Sequence, residues 1–344
     1  MTRHLFNVHS PITYFMALEV IRIEKIPVEA VTLLISRNFL PPDDTYQAIP
    51  LPFSHYPIDS FAVQITFWKS WKKVREFDQW LEKITQQQPF VLYAAHAYSS
   101  IFHLMVTHPM CQGYYYIEEG LVAYRPPADW DIQKPFNPLR SVLYYLNFGQ
   151  RNLPNRSFFT TKLGRYLGAF GVSQHSFPTL TNLQVVGLPF PKIEAEEKYQ
   201  CVIVHDNIYD HHGLTPDTYL RWIDVIVTDA LKRGFTGIHQ KFHPAQGQAS
   251  LQAIEAFMQQ KVAGKASLHT LGASDSIEQI SLSQRPVIYV CISSVGLYAH
   301  LAGSEVVSIY KICCQDQPVF QDFGHLLPSF YLENVTYLSY PSQT

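Results

Sequence analysis

The sequence predicts an α/β protein made of two doubly wound, parallel-sheet domains that face each other across a cleft. Three observations carry this expectation. The chain has 344 residues, and a domain takes about 100–200. Short apolar runs alternate with segments of helical spacing, the pattern of a parallel sheet covered by helices on both faces. A proline-rich break follows, after which the alternation begins again.

His4 to Val8 reads as a first strand, Ser10-Pro11 as a helix start, Ile12 to Ile23 as the helix and Val31 to Ile35 as a second strand. Thr66 to Ile84 is helical, Phe90 to Ala95 a buried strand, Ser99 to Val106 a helix and Tyr114 to Ile117 a strand. An irregular stretch holding Pro126, Pro127, Pro135, Pro138 and Pro154 precedes the linker Gly187 to Pro191 and Glu194 to Lys198. This sets domains at 1–188 and 189–344. Cys201 to Val204, Gly237 to Gln240, Leu268 to Leu271 and Val287 to Cys291 are then strands. Pro216 to Lys232, Ser250 to Lys261, Ser276 to Leu282 and Val295 to Ala302 are the helices between and after them.

Composition narrows the function. With 26 Lys+Arg against 28 Asp+Glu the net charge is −2, which excludes a nucleic-acid-coating role. At 47% hydrophobic and 16% charged the chain is not disordered. Five cysteines (Cys111, Cys201, Cys291, Cys313, Cys314) without a CxxC pair indicate neither a disulfide framework nor a zinc knuckle. A reducing, cytoplasmic setting fits. The N-terminus has no long apolar run and carries an early Glu19, so it does not read as a secretory signal. Ile84 to Ile117 and Pro286 to Ser304 lack charges yet hold histidines, prolines or serines, and read as buried strand, turn and helix rather than membrane spans.

Ligands of doubly wound sheets bind at the carboxyl ends of strands. Glu118-Glu119-Gly120 follows Tyr114 to Ile117 directly. Two adjacent carboxylates beside tyrosines suit a general base, although such a triplet also occurs as a solvated loop. Lys241-Phe-His243-Pro244 has the same placement in the second half, where an imidazole and an ammonium can hold a phosphate. Ser293-Ser294 opens a helix after the last predicted strand, as an anion site or as a plain N-cap. Glu278 sits at another strand-to-helix junction and can reach a ribose diol, or simply favour the helix start. His205-Asp206 with Asp210-His211-His212 is the one cluster that suggests metal, but its spacing matches no ligand motif. Phe67, Trp71, Val74, Phe77 and Leu81 form a core-facing helical stripe with Lys69, Lys72, Lys73 and Arg75 beside it; contact with an anionic membrane surface is the other reading. Signatures of P-loop, serine-hydrolase, zincin and GxGxxG dinucleotide sites are missing.

The order Glu118-Glu119-Gly120, His243-Pro244, Ser293-Ser294 resembles the bacterial sialyltransferases, including the lipooligosaccharide sialyltransferases and capsular polysialyltransferases, which share D/E-D/E-G, HP and S-S/T motifs. His9-Ser-Pro11 and Ala17-Leu-Glu19 look like the opening of those enzymes. The resemblance implies a GT-B fold of two Rossmann-like domains and inverting, metal-independent transfer of a sialic acid from CMP-Neu5Ac to a glycan, with no cofactor. By motif, Glu118 is the base, Glu119 orients it or shares its role, and His243 serves the leaving phosphate, with Lys241 and Pro244 at its side. Ser293 and Ser294 hold that phosphate, and Glu278 the ribose. The resemblance also implies an interdomain hinge at Gly187 to Glu197 and a last segment, Phe330 to Tyr340, that crosses back onto the first domain. The low positive charge argues against a polysialic acid acceptor and for a galactoside. Competing readings are a transferase of another CMP-activated sugar such as Kdo, a metal-dependent hydrolase at His205 to His212, and a non-catalytic glycan- or nucleotide-binding protein. The partners expected are a CMP-sugar and a glycan acceptor, with peripheral contact at the inner face of the inner membrane.

Overall fold

The computed structural model describes residues 1–37, 39–51, 67–130, 138–148, 151, 157–194, 198–206, 208, 214–243, 246–272, 275–291, 293–321 and 327–340. The chain divides into two compact units, Met1–Pro189 and Phe190–Thr344. Each is a doubly wound α/β domain, the fold class read from the sequence.

The first unit carries β1 (Arg3–Val8), β2 (Val31–Ile35), β3 (Gln47–Pro50), β4 (Phe90–Ala94), β5 (Cys111–Ile117), β6 (Tyr166–Gly171) and β7 (Leu183–Val185). They form one sheet in the order β3-β2-β1-β4-β5-β6-β7, every pair parallel. The chain winds outward from β1 in one direction and from β4 in the other, so the topological switch point lies between β1 and β4. All five residues of β2 and all five of β4 are buried, as strands covered on both faces must be. The helix Pro11–Ile23 starts in a capping box in which Ser10 and Thr13 satisfy each other's backbone N–H, and it buries Ile12, Tyr14, Met16, Ala17, Val20 and Ile21.

The helix Phe67–Ile84 departs from its predicted stripe. Phe77, Leu81 and Ile84 face the core, whereas Trp71 is half exposed and Trp68 more so. Trp71 leaves the interior because its indole N–H is bonded to the Leu146 carbonyl (2.8 Å) on the helix Pro138–Asn147.

The second unit holds β8 (Cys201–His205), β9 (Gly237–Phe242), β10 (Ser267–Thr270), β11 (Val287–Val290), β12 (Val306–Ser308) and β13 (Thr336–Tyr337) in the order β10-β9-β8-β11-β12-β13, again all parallel. Its switch point lies between β8 and β11. One core joins Ile203 and Ile238 of the sheet to Trp222, Ile226 and Ala230 of the helix Pro216–Lys232 and to Ile254 and Met258 of the helix Gln248–Val262. The C-terminal segment, expected to cross to the first domain, pairs within the second unit. It adds β13 to the edge of the second sheet, with the Leu338 N–H donating to the Ser308 carbonyl (3.0 Å) and the Tyr340 hydroxyl to Asp316 (2.5 Å).

Both charge-free stretches resolve into β4, the helix Ser100–Val106 and β5, and into β11 and the helix Ser294–Leu301. Among the described residues no helix is long and apolar enough to cross a membrane.

His205 ends β8 with 1% exposure, its Nε2 3.2 Å from the Gln240 side-chain oxygen, its Nδ1 3.4 Å from the Tyr219 hydroxyl and its ring stacked on Phe242. Burial pushes its pKa down to about 4. The folded state therefore prefers the neutral ring, and the unfolded chain binds the extra proton first. Stability is fully present above the ordinary value of 6.5 and is lost as pH falls toward 4. Urea unfolding is expected to show about 2 kcal/mol less stability from this residue at pH 5 than at pH 7, a difference that His205→Asn should reduce.

Candidate active site

Four strands of the first sheet, β2, β1, β4 and β5, end in a polar residue at or just past their carboxyl termini: Arg37, His9, His96 and Glu119. These are adjacent strands about the switch point, so the four side chains converge. Glu119 is the hub. Its Oε1 lies 2.8 Å from His9 Nε2 and 3.3 Å from an Arg37 guanidinium nitrogen, and its Oε2 lies 3.7 Å from His96 Nε2. The backbone N–H of His9 donates to the Thr13 hydroxyl (3.0 Å), and His9 Nδ1 lies 3.3 Å from the same oxygen, so the capping box also fixes the imidazole. A cavity of about 150 Å³ opens here, lined by Asn7, His9, Ser36, Arg37, His96 and Ser99 among others.

Two buried polar atoms in this cluster, Glu119 Oε2 and His96 Nδ1, make no hydrogen bond among the described residues, while His9 Nε2 has Glu119 Oε1 at 2.8 Å. Buried polar groups are normally satisfied, so such a concentration marks a place where a polar ligand completes the bonding. Burial lowers the pKa of His9 to about 4 and also lowers that of His96, with Glu119 opposing in both cases. Both rings are therefore neutral at pH 7, and each can donate at one nitrogen and accept at the other.

Glu118 has a different task from the one its sequence position suggested. It has no exposed surface, and its Oε2 accepts from the Val172 N–H (2.7 Å) and the Ser176 hydroxyl (2.7 Å). The carboxyl group thereby ties the end of β5 to the turn after β6. Buried and bonded in this way, it is not placed to take a proton from a bound substrate, so the correction is physical: Glu118 anchors, and Glu119 is the acid that meets the cavity-lining His9, Arg37 and His96. Gly120 adopts φ 144°, ψ −149°, a conformation open essentially to glycine alone, which lets the chain turn sharply after the two acids. A side chain at Gly171 would come within 2.4 Å of Ser176 Cβ, so that glycine is what allows Ser176 to reach Glu118.

His9, Arg37 and His96 were not among the residues singled out as catalytic. The rule that found Glu118-Glu119 would have found them if applied to the ends of β1, β2 and β4 as well.

In the second unit, Asp206 follows β8 and its Oδ2 accepts from the Cys291 N–H (3.1 Å), bridging the two strands at the switch point. Ser293 caps the helix Ser294–Leu301, its hydroxyl accepting from the Val295 N–H (3.3 Å), and Ser294 is the first helical residue. The helix N-terminus thus lies beside the switch point, oriented for an anion. His243 directly follows β9 and is exposed. Lys241 is turned to a structural use: its ammonium donates to the carbonyls of Gly272 and Asp275 and holds the turn before the helix Ile277–Gln284, and burial lowers its pKa. Glu278 lies in the first turn of that helix and accepts from the Ser276 hydroxyl (2.8 Å). Pro244 lies outside the described residues.

The proposed metal cluster loses its described members. His205 is bonded to Gln240 in the core and Asp206 to the backbone of Cys291, while Asp210, His211 and His212 lie outside the described residues. Among the described residues no group of three His, Cys, Asp or Glu side chains is placed to hold a metal ion.

Gly296 sits one turn into the helix Ser294–Leu301, where an added Cβ would fall 2.2 Å from the Tyr331 hydroxyl. Gly296→Ala is expected to push Tyr331, which is 3% exposed, off that turn, at a cost of about 1–3 kcal/mol in stability measured by urea unfolding.

No family model and no curated protein sequence matches the chain. Solved structures similar to it include a UDP-glucosyltransferase from Polygonum tinctorium (11% identity, 90% of this chain and 80% of that one, TM-score 0.48). The Methanocaldococcus jannaschii UDP-GlcNAc 2-epimerase in complex with UDP-GlcNAc and UDP is similar over 98% of this chain and 89% of that one, at 11% identity and TM-score 0.48. The E. coli heptosyltransferase WaaC covers 90% and 89%, at 11% identity and TM-score 0.39. With likenesses this distant, the chemistry has to be read from the chain's own residues.

Proposed function

We propose that the chain is an inverting glycosyltransferase of the GT-B type that moves a sialic-acid-type sugar from CMP-Neu5Ac to a glycan hydroxyl, a galactoside being the acceptor that suits its charge. The observation that carries the reading is the pair of unpartnered buried atoms on Glu119 and His96, with His9 beside them, at the first switch point. It offers an incoming hydroxyl group one carboxylate oxygen and one neutral imidazole, that of His96. Donor identity is supported by the order of Glu118-Glu119-Gly120, His243-Pro244 and Ser293-Ser294 along the chain.

In this mechanism His9 and Arg37 hold Glu119 Oε1, leaving Oε2 to accept the proton of the acceptor hydroxyl as its oxygen bonds to the anomeric carbon. The bond from that carbon to the phosphate oxygen breaks, and CMP departs with the electron pair. His243 and the backbone N–H groups at the start of the helix Ser294–Leu301 stabilise the charge that builds on the phosphate, a contribution of about 3 kcal/mol per well-placed donor. These residues supply the electrostatic role that a cation plays in other transferases, so turnover is expected in EDTA. The chain would work on the inner side of the inner membrane, where CMP-sugars are made and used.

A CMP-release assay with CMP-Neu5Ac and a panel of galactosides in EDTA tests the proposal, beside His243→Ala. Release that depends on acceptor and collapses in the variant supports it. Turnover of a UDP- or ADP-sugar, or of CMP-Kdo, with none of CMP-Neu5Ac overturns the donor. CMP binding without turnover of any sugar overturns the enzyme.

A further inference from the structure

We infer that the first half of the helix Phe67–Ile84, with the neighbouring helix Pro138–Asn147, is a docking face for an anionic lipid surface. Trp68 is 65% exposed and Trp71 50%, and on the second helix Leu139 is 68% and Val142 54% exposed. Among the described residues nothing covers these two indoles and two aliphatic side chains on adjoining helices, and such an apolar surface calls for an occupant.

The charges around these residues identify the occupant. Residues 67–75 carry Lys69, Lys72, Lys73 and Arg75 and no acid, in a chain whose net charge is −2. The acids of the helix, Glu76, Asp78 and Glu82, lie in its second half; Asp78 is bonded to Arg151 (2.6 Å), and the half-exposed Glu76 lies 3.9 Å from the Lys72 ammonium, so Lys69 and Arg75 carry the excess positive charge. Trp68, Trp71, Lys72 and Arg75 fall at positions i, i+3, i+4 and i+7, on one face of the helix. Indoles settle at the boundary between headgroups and acyl chains, while lysine and arginine stems run along apolar surface and lift their charges to lipid phosphates. A protein partner would require a complementary acidic groove; a bilayer with anionic headgroups supplies both parts of the match over any area.

The face is also fixed in place before any partner arrives. Ser70 is buried and donates to the Asn147 side chain (2.6 Å), Trp71 donates to Leu146, and Phe77, Leu81 and Ile84 are buried beneath. Docking therefore requires no folding of the segment. This inference goes beyond the transferase reading and does not depend on it.

The test is co-sedimentation of the full chain with vesicles of phosphatidylcholine alone and of phosphatidylcholine mixed with phosphatidylglycerol, read by partition and by tryptophan fluorescence. Binding is expected only with phosphatidylglycerol, to weaken in high salt, and to blue-shift the emission. Lys69→Gln and Arg75→Gln should each lower the partition about fivefold. Trp68→Ser should lower it while leaving the circular dichroism unchanged. Equal binding to both vesicle types, none to either, or no effect of Trp68→Ser overturns the inference. So does a concentration-dependent dimer without lipid that Trp68→Ser abolishes, since the face would then belong to a second copy of the chain.

Discussion

Glu119→Gln is expected to lower kcat by about 10²–10⁴-fold with CMP affinity unchanged. The amide keeps the size of the side chain and can still meet His9 and Arg37, but it cannot accept the acceptor's proton. The decisive contrast is with its neighbour. Glu118→Gln leaves an oxygen able to receive both bonds that Val172 and Ser176 now make to Oε2 and does not touch the cavity, so it should retain most of the turnover. Steady-state CMP release for the two variants, each checked for folding, separates the roles. If Glu118→Gln abolishes turnover in a folded protein and Glu119→Gln does not, the assignment of the base is wrong.

Glu118→Ala has the largest expected effect on stability. It removes the carboxyl group from a site with no solvent access and leaves the Val172 N–H and the Ser176 hydroxyl without that acceptor. Leaving the buried Val172 N–H unsatisfied costs about 1–3 kcal/mol, and the Ser176 hydroxyl keeps only its longer bond to the Tyr124 hydroxyl (3.3 Å), so a loss of about 2–4 kcal/mol is expected in urea unfolding followed by circular dichroism. Adding Ser176→Ala removes the weakened donor and should recover part of the loss. A Glu118→Ala protein as stable as the parent would show that the carboxyl group does not hold the two strand ends together.

The elements that the sequence revealed best are the fully buried ones. The runs Val31–Ile35 and Phe90–Ala94 are apolar throughout because both faces of a parallel strand are covered, and their bounds follow directly. Tyr166–Gly171 was missed because it carries two glycines and follows Gly164, residues that weaken any strand signal. Val306–Ser308 and Thr336–Tyr337 are too short to show a period. At the site, the placement of Glu118-Glu119 at a strand end was legible, but which acid joins His9, Arg37 and His96 was not. That choice is set by Ser176 and Val172, more than 50 residues away in sequence, and by the turn that Gly120 permits. Lys241 and Glu278 were likewise legible as strand-end and helix-start residues, whereas their actual partners, the carbonyls of Gly272 and Asp275 and the hydroxyl of Ser276, are fixed by the turn between them.

The closing of the second sheet by Thr336–Tyr337 has a consequence for how such a chain can change over time. Since the last described segment finishes its own lobe, neither half borrows a strand from the other, and each keeps a whole interior. A recombination joint in the stretch around Gly187 would then exchange one lobe without unravelling its companion. A different front half could be grafted onto an unaltered rear half in a single genetic step.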